Sequence, residues 1–149
     1  PQNYFDPRWS ADGTKIIYTG YPGSNIDVWS MNASDGTGKT RWTNNANVDG
    51  APDWSRDGSQ IVFNSDRVVG NTDIWVMSGV TPLSSATRMT TIAGTDRYPV
   101  WSSDRTKVFW SHVSGPTSNL WVMNADGTGQ IQLTFDISPS ASDNADFGW

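Results

Sequence analysis

Short apolar runs recur along this chain, separated by turns rich in Asp, Gly, Asn and Ser. The runs are rich in β-branched and aromatic residues and have the length of strands, and such runs between turn residues are typical of β-strands. Two sets of three runs show the pattern best: KIIYTG, QIVFNS and KVFWSH; and DVWSMN, DIWVMS and NLWVMN. Helical segments long enough to connect parallel strands are missing from the pattern, which therefore favours an all-β fold over a parallel βαβ fold.

The runs belong to a repeat of about 46 residues, which two series of tryptophans mark. One series is Trp9, Trp54, Trp101 and Trp149, and the other is Trp29, Trp75 and Trp121. Each unit reads as four strands. The first ends in Trp-Ser (FDPRWS, GAPDWS, YPVWS), and the fourth is short (KTRWT, ATRMT, IQLT). Four strands at this period are typical of a β-propeller blade.

We therefore predict three four-stranded blades within a single propeller or half-propeller domain, residues 1–149. The predicted repeats are 4–48, 49–95 and 96–143, and residues 144–149 have the phase of an additional innermost strand. Propellers close with about four to eight blades, so three would expose large aromatic surfaces. We expect a second chain to complete a six-bladed ring, as a twofold dimer. A longer propeller of which this is a fragment, or an open head-to-tail array, are the alternatives.

Composition narrows the functional classes. The net charge is −5, all 15 acidic residues are Asp, and there is no Cys. The acidic excess without a basic stripe argues against a nucleic-acid partner. Without cysteine there is neither a disulfide framework nor a thiolate site. No apolar run approaches the length of a membrane span.

The repeat resembles a known family. The pattern WS-x-DG-[TS]-K-I, then [DN]-[IL]-W-V-M-N-A-D-G-T-G, then L-T is similar to the WD-repeat-like propeller repeat of TolB-type proteins. The third repeat matches best, with WSSDRTKVFWS and NLWVMNADGTGQIQLT, although Arg105 replaces the turn glycine. The resemblance implies a six- to eight-bladed propeller that is periplasmic or extracellular. It also implies a binding protein, a gating domain of a serine peptidase, or more rarely a polysaccharide lyase.

The repeated residues are interpreted as scaffold. Asp12-Gly13 and Asp57-Gly58 predict tight turns, in which the Asp carboxylate accepts backbone N–H bonds and Ser10 or Ser55 adds a hydroxyl bond. Asp27, Asp73 and Asn119, before the third strands, are expected to anchor loops by accepting backbone N–H bonds. The Trp29 series and the methionines two residues later are expected to pack between blades.

Function is expected where the repeats differ, on the face that carries the links between strands two and three and between blades. The candidate rim residues are Tyr21, Asp49, Arg67, Asp96, Arg97, Tyr98, His112 and Asp146. Asp49, Asp96 and Asn144 stand five residues before a first-series Trp, so their oxygens could ring a channel mouth and hold calcium. A polar, water-filled channel without a cofactor is the favoured interpretation.

Catalysis is not expected. His112 is the only histidine, no G-x-S-x-G motif is present, and no pair of carboxylates stands out. The leading hypothesis is a noncatalytic scaffold that binds a protein or peptide at the loop face and channel mouth. A carbohydrate-binding, lectin-like propeller and a self-assembling structural module are the alternatives.

Overall fold

The structure, a computed structural model, describes residues 3–23 and 25–135. These residues form strands, turns and loops. In chain order the strands are β1 (Asn3–Trp9), β2 (Lys15–Tyr21), β3 (Asp27–Asn32), β4 (Thr40–Arg41), β5 (Asp49–Trp54), β6 (Gln60–Val68), β7 (Asn71–Ser78), β8 (Thr87–Arg88), β9 (Thr95–Trp101), β10 (Lys107–Ser114), β11 (Thr117–Asn124) and β12 (Ile131–Gln132).

The strands form three antiparallel sheets of four, in the orders β1-β2-β3-β4, β5-β6-β7-β8 and β9-β10-β11-β12. We call them blades 1, 2 and 3. A single parallel pairing, Thr72 with Thr95, links blade 2 to blade 3. The predicted all-β fold with four-stranded blades is confirmed. A partial propeller of this kind is completed by another part of a protein or by another chain.

The fourth strand of each blade has two residues, and a threonine just beyond it continues the pairing. The hydroxyl oxygens of Thr43, Thr90 and Thr134 accept the backbone N–H groups of Val28, Ile74 and Leu120, at 2.9–3.0 Å. A side chain therefore replaces a backbone carbonyl at the outer edge, which explains why this threonine recurs in each repeat.

The first strand of each blade contains a bulge. Asp6, Ala51 and Tyr98 occupy the same repeat position, three residues before the Trp, and have φ angles of 52°, 48° and 54°. The antiparallel register of each first strand shifts at this point. A proline follows each of the three residues, and it fixes φ and donates no hydrogen bond. Such a bulge bends the strand where it occurs.

Two apolar clusters join the blades, and we call these contacts seams. At the seam between blades 1 and 2, Ile17, Val28 and Trp42 pack against residues of blade 2: Trp54, Ile61, Phe63 and Met77. The seam between blades 2 and 3 uses the same repeat positions: Val62, Ile74 and Met89 pack against Trp101, Val108, Trp110 and Met123. Trp75 and Trp121 pack at the edges of the two clusters, as expected for this Trp series.

Tight turns connect the first and second strands. The Asp12 carboxylate accepts the backbone N–H of Thr14 at 3.0 Å and the hydroxyl of Ser10 at 2.7 Å. These bonds hold its pKa below the usual range. Asp57 makes the equivalent bonds with Ser55 and Ser59. The predicted turn chemistry is present in both blades.

Candidate functional site

The ends of the three first strands converge on a cavity at the turn face of the arc. Its volume is about 490 Å³. Three positions of each repeat line it: the residue before the Trp, the Trp itself, and the residue between the Ser and the Asp of the turn. They are Arg8, Trp9 and Ala11 in blade 1; Asp53, Trp54 and Arg56 in blade 2; and Val100, Trp101 and Ser103 in blade 3, with Ser102. We call this the axial cavity.

Charges of both signs line the axial cavity. Burial raises the pKa of Asp53 to about 6, although its carboxylate accepts the backbone N–H of Trp101 at 2.8 Å and lies near Arg8. Arg8 bonds only weakly to its neighbour's carbonyl, at 3.4 Å, and Arg56 is exposed. Two guanidinium groups beside one partly protonated carboxylate favour a ligand that presents acceptors or negative charge.

The indole groups of the axial cavity have hydrogen-bonding capacity to spare. Trp54 and Trp101 are 8% and 6% exposed, and neither indole N–H has a hydrogen-bond partner within the described residues. A buried donor without a partner costs free energy. Both nitrogens are themselves buried, so these indoles belong to the packed wall of the cavity.

The loop face, where the rim residues were predicted, is built mainly from internal bonds. Asp49 is fully buried at the start of β5, and its carboxylate lies 3.0 Å from Nη2 of Arg67. Asn45 also donates to this carboxylate, at 2.5 Å. The Arg67 guanidinium is 5.1 Å from the ring centres of both Phe63 and Trp75. The structure thus brings Asp49 and Arg67 together as a pair that fixes a loop to the sheet.

Asp96 and His112 form the equivalent cluster of blade 3. Asp96 Oδ1 is 2.6 Å from Nδ1 of His112 and accepts the indole N–H of Trp110 at 3.0 Å. Burial raises the pKa of Asp96, and bonds from Thr90 and His112 oppose the rise. The His112 ring is 6% exposed and lies against Gly94, where a Cβ would be 2.7 Å from its Cε1. Both side chains are internal to the blade.

The other predicted rim residues are more open. Arg97 is exposed, and Tyr21 and Tyr98 are half-buried. Asp146, and Asn144 of the suggested calcium site, lie outside the described residues, so the rim and the calcium site stay predictions. Within residues 3–23 and 25–135, no three His, Cys, Asp or Glu side chains cluster in a way that could hold a metal ion.

The carboxylates that precede the third strands have partners that were not foreseen. Asp27 pairs with Arg41 at 2.5 Å, and Asp73 pairs with Arg88 at 2.8 Å, and both carboxylates are fully buried. Among the described residues, the donors to these carboxylates are side chains, which include Asn25 and Thr43 at Asp27 and Asn71 at Asp73, rather than the expected backbone N–H groups. In blade 3 the same two positions hold Asn119 and Gln132, an uncharged pair. Comparing the repeats position by position would have revealed this coupled change.

The profile of the TolB beta propeller domain matches residues 1–147. An uncharacterized protein of Agrobacterium fabrum is 31% identical over 137 residues, which is 87% of this chain and 45% of that protein. The Tol-Pal system protein TolB of Francisella tularensis subsp. mediasiatica is 34% identical over 74 residues, or 48% of this chain and 17% of its own length.

Solved structures show the same fold. The structure of a putative TolB from Agrobacterium tumefaciens superposes with a TM-score of 0.76 at 28% identity, over 89% of this chain and 48% of that one. TolB from Acinetobacter baumannii superposes with a TM-score of 0.79 at 24% identity, over 92% of this chain and 33% of that one. This chain thus spans less than half of the length of each of these relatives. None of the described residues forms a helix that is long and apolar enough to cross a membrane.

Proposed function

This chain belongs to the TolB β-propeller family, and on that premise we propose that it is a noncatalytic scaffold that binds a protein or peptide partner at the axial cavity. We place this partner in the periplasm or outside the cell, as the resemblance to TolB-type proteins implies. The observation that carries the proposal is the variation at the cavity. The Trp that lines the cavity is constant, but the residue before it (Arg8, Asp53, Val100) and the variable residue of W-S-x-D (Ala11, Arg56, Ser103) differ in all three repeats.

The chemistry of the axial cavity fits an acceptor-rich peptide segment. Arg8 and Arg56 line the cavity with guanidinium groups, and Ser102 and Ser103 add hydroxyl groups. Peptide carbonyls and carboxylates are the natural acceptors for such donors. A cavity of about 490 Å³ is in the range of ligand-binding sites.

Selection of peptides from a random phage-displayed library on the immobilised chain tests this proposal. We expect the selected peptides to carry carboxylates. Their affinity, measured by fluorescence anisotropy, should fall about ten-fold or more for Arg56→Ala, because a charge-assisted bond is worth about 1.5–3 kcal/mol. Arg97→Ala, an exposed arginine on the loop face, is the matched control.

The opposite result would move the site. If Arg97→Ala weakened peptide binding and Arg56→Ala did not, the binding site would lie on the loop face, where the rim residues were predicted. Glycan binding on an array, with no peptide selected, would instead support the lectin-like alternative. Either result would overturn the axial cavity as the binding site.

A further inference from the structure

The two outer faces of the three-blade arc expose residues that the internal seams bury. Trp9 is 65% exposed, whereas Trp54 and Trp101 at the same repeat position are 8% and 6% exposed. At the other end Leu133 is 46% exposed, whereas Trp42 and Met89 at its repeat position are 6% and 8% exposed. Apolar residues at these two repeat positions are therefore buried at both internal seams and exposed at the two ends of the arc.

The difference extends over both faces. On blade 1, Ile16 and Met31 are half-buried, while their repeat equivalents at the two seams are at most 4% exposed. On blade 3, Phe109 and Leu120 are half-buried, while their equivalents are fully buried. The blade 1 face also contains an apolar groove of about 350 Å³, lined by residues that include Tyr4, Ile16 and Met31.

The two faces are of opposite kind. Each seam joins a lower face, which supplies the positions of Ile17, Val28 and Trp42, to an upper face, which supplies the positions of Trp54, Ile61 and Met77. Among the described residues, blade 3 exposes a lower face that includes Leu120 and Leu133. Blade 1 exposes an upper face made of Trp9, Ile16 and Met31. Within the described part of the chain, these two faces are thus the two halves of a third seam.

A hydrogen bond between blades also recurs at both internal seams. At both seams the backbone carbonyl of the residue at the Leu133 position accepts a bond from the next blade. Trp42 O accepts Leu83 N–H at 3.1 Å, and Met89 O accepts the amide of Gln130 at 3.0 Å. Lys39 of blade 1 occupies the position of Gln130 and lines the apolar groove. An ammonium group is therefore in place to donate to the Leu133 carbonyl of a blade that seats there.

We propose that the occupant of each open face is a second copy of this chain, with blade 3 of one copy packed on blade 1 of the other. Two such seams close a ring of six blades with twofold symmetry, within the range in which propellers close. The assembly goes beyond the proposed peptide binding, although Trp9 lies at both the axial cavity and the blade 1 face.

Light scattering after gel filtration tests the assembly. At micromolar concentration we expect twice the mass of the 16.4 kDa chain. Leu133→Asp and Ile16→Asp should each weaken the dimer at least about ten-fold, because each buries a carboxylate in an apolar seam. Val69→Asp is the control, since Val69 is 97% exposed in the turn between β6 and β7 and should leave the dimer unchanged. Circular dichroism verifies that each variant folds.

Mixing the two variants tests the polarity of the seam. Leu133→Asp leaves the blade 1 face intact, and Ile16→Asp leaves the blade 3 face intact, so the mixture should regain dimer through one undamaged seam. A monomeric wild-type chain would overturn the proposal. So would a ladder of larger species, which indicates an open array, or single variants that stay dimeric, which indicates pairing of a face with itself.

Discussion

Blades 2 and 3 are copies of one repeat, but they stabilise the same positions with different chemistry. Blade 2 neutralises its buried carboxylates with permanent cations, in the pairs Asp73–Arg88 and Asp49–Arg67. Blade 3 carries the neutral Asn119 and Gln132 at the first position and the titratable Asp96–His112 pair at the second. Backbone geometry and burial are therefore the same in both blades. The polar residues that neutralise or replace the buried carboxylates differ between the blades, and both partners differ together.

The largest test of this comparison removes one partner of the blade 2 pair. Arg88→Met leaves the fully buried Asp73 carboxylate without its cation, and we expect a loss of about 2–4 kcal/mol in the free energy of unfolding. The range is below that of a fully buried pair because the Arg88 side chain is 27% exposed. Urea denaturation followed by tryptophan fluorescence measures the change.

The matched control copies blade 3 into blade 2. Asp73→Asn combined with Arg88→Gln reproduces the Asn119 and Gln132 positions, so the double variant should recover most of the loss. Gln132→Met in blade 3 removes no charge and should cost much less than Arg88→Met. If Arg88→Met and Gln132→Met lowered the free energy of unfolding equally, the buried charge of blade 2 would not distinguish the two blades.

The second test concerns the position before the Trp, where blade 2 has Asp53 and blade 3 has Val100. The folded pKa of Asp53 is about 6, above its usual value of 3.8. The unfolded chain therefore releases this proton at a lower pH than the folded chain does. The contribution of Asp53 to stability consequently falls as the pH rises from about 4 to about 6. We expect Asp53→Asn to raise stability at pH 7 by about 1–3 kcal/mol and to remove this fall.

A carboxylate with the opposite shift serves as the control. Hydrogen bonds from Ser102 and Thr106 hold the pKa of Asp104 below its usual value. Its contribution to stability is therefore present above the unfolded pKa and is lost as the pH falls toward the folded pKa. Asp104→Asn should lower stability at neutral pH. Thermal melts from about pH 2 to about pH 7 should show that its effect is constant above about pH 4 and disappears below it, whereas the effect of Asp53→Asn develops between about pH 4 and about pH 6.

The sequence was sufficient to predict the blades but not all of the polar contacts. Trp9, Trp54 and Trp101 fix the phase of the first strands, and the burial of Trp54 and Trp101 at the seams follows from that phase. The Asp73–Arg88 pair escaped prediction because the two residues are 15 positions apart on strands of very different length. Asp49 was expected at an open rim, yet loop residue Asn45 and Arg67 cover it.

The axial cavity was missed for a different physical reason. It is assembled from three strand ends that lie about 46 residues apart, and its lining stands inside the motif that repetition marks as scaffold. The signal was nevertheless present in the sequence. Ala11, Arg56 and Ser103 occupy the one position of W-S-x-D that changes in all three repeats, and that position lines the cavity.

The third test replaces His112 of blade 3 with the residue that blade 2 has at this position. His112→Ser copies Ser65, which occupies the equivalent position, and removes the 2.6 Å contact with Asp96. We expect a loss of about 1–2 kcal/mol at neutral pH, because the bond from Trp110 remains. The loss should shrink as the pH falls and Asp96 binds a proton. Adding Ser114→Arg, at the position of Arg67, should restore part of the stability.

The smallest expected effect concerns the turn that carries Gly58 in blade 2 and Arg105 in blade 3. Arg105 has a φ of 63° and pairs with Asp57 of the preceding blade across the seam. Gly13 has the same left-handed backbone, and a Cβ there would meet no atom within 4 Å. In the proposed dimer, Gly13→Arg faces Asp104 of the second copy, so the dimer should tighten by about two- to five-fold, as exposed ion pairs do.

Gly58→Arg is the same substitution in the same turn, but it faces Asp12 within its own chain. It should therefore leave the dimer dissociation constant unchanged, while high salt should abolish the gain of Gly13→Arg because exposed charges are screened. Analytical ultracentrifugation of the two variants at low and high salt measures both effects. If Gly58→Arg tightened the dimer as much as Gly13→Arg, the gain would come from the net charge of the chain, and the pairing of Gly13 with Asp104 across the third seam would be wrong.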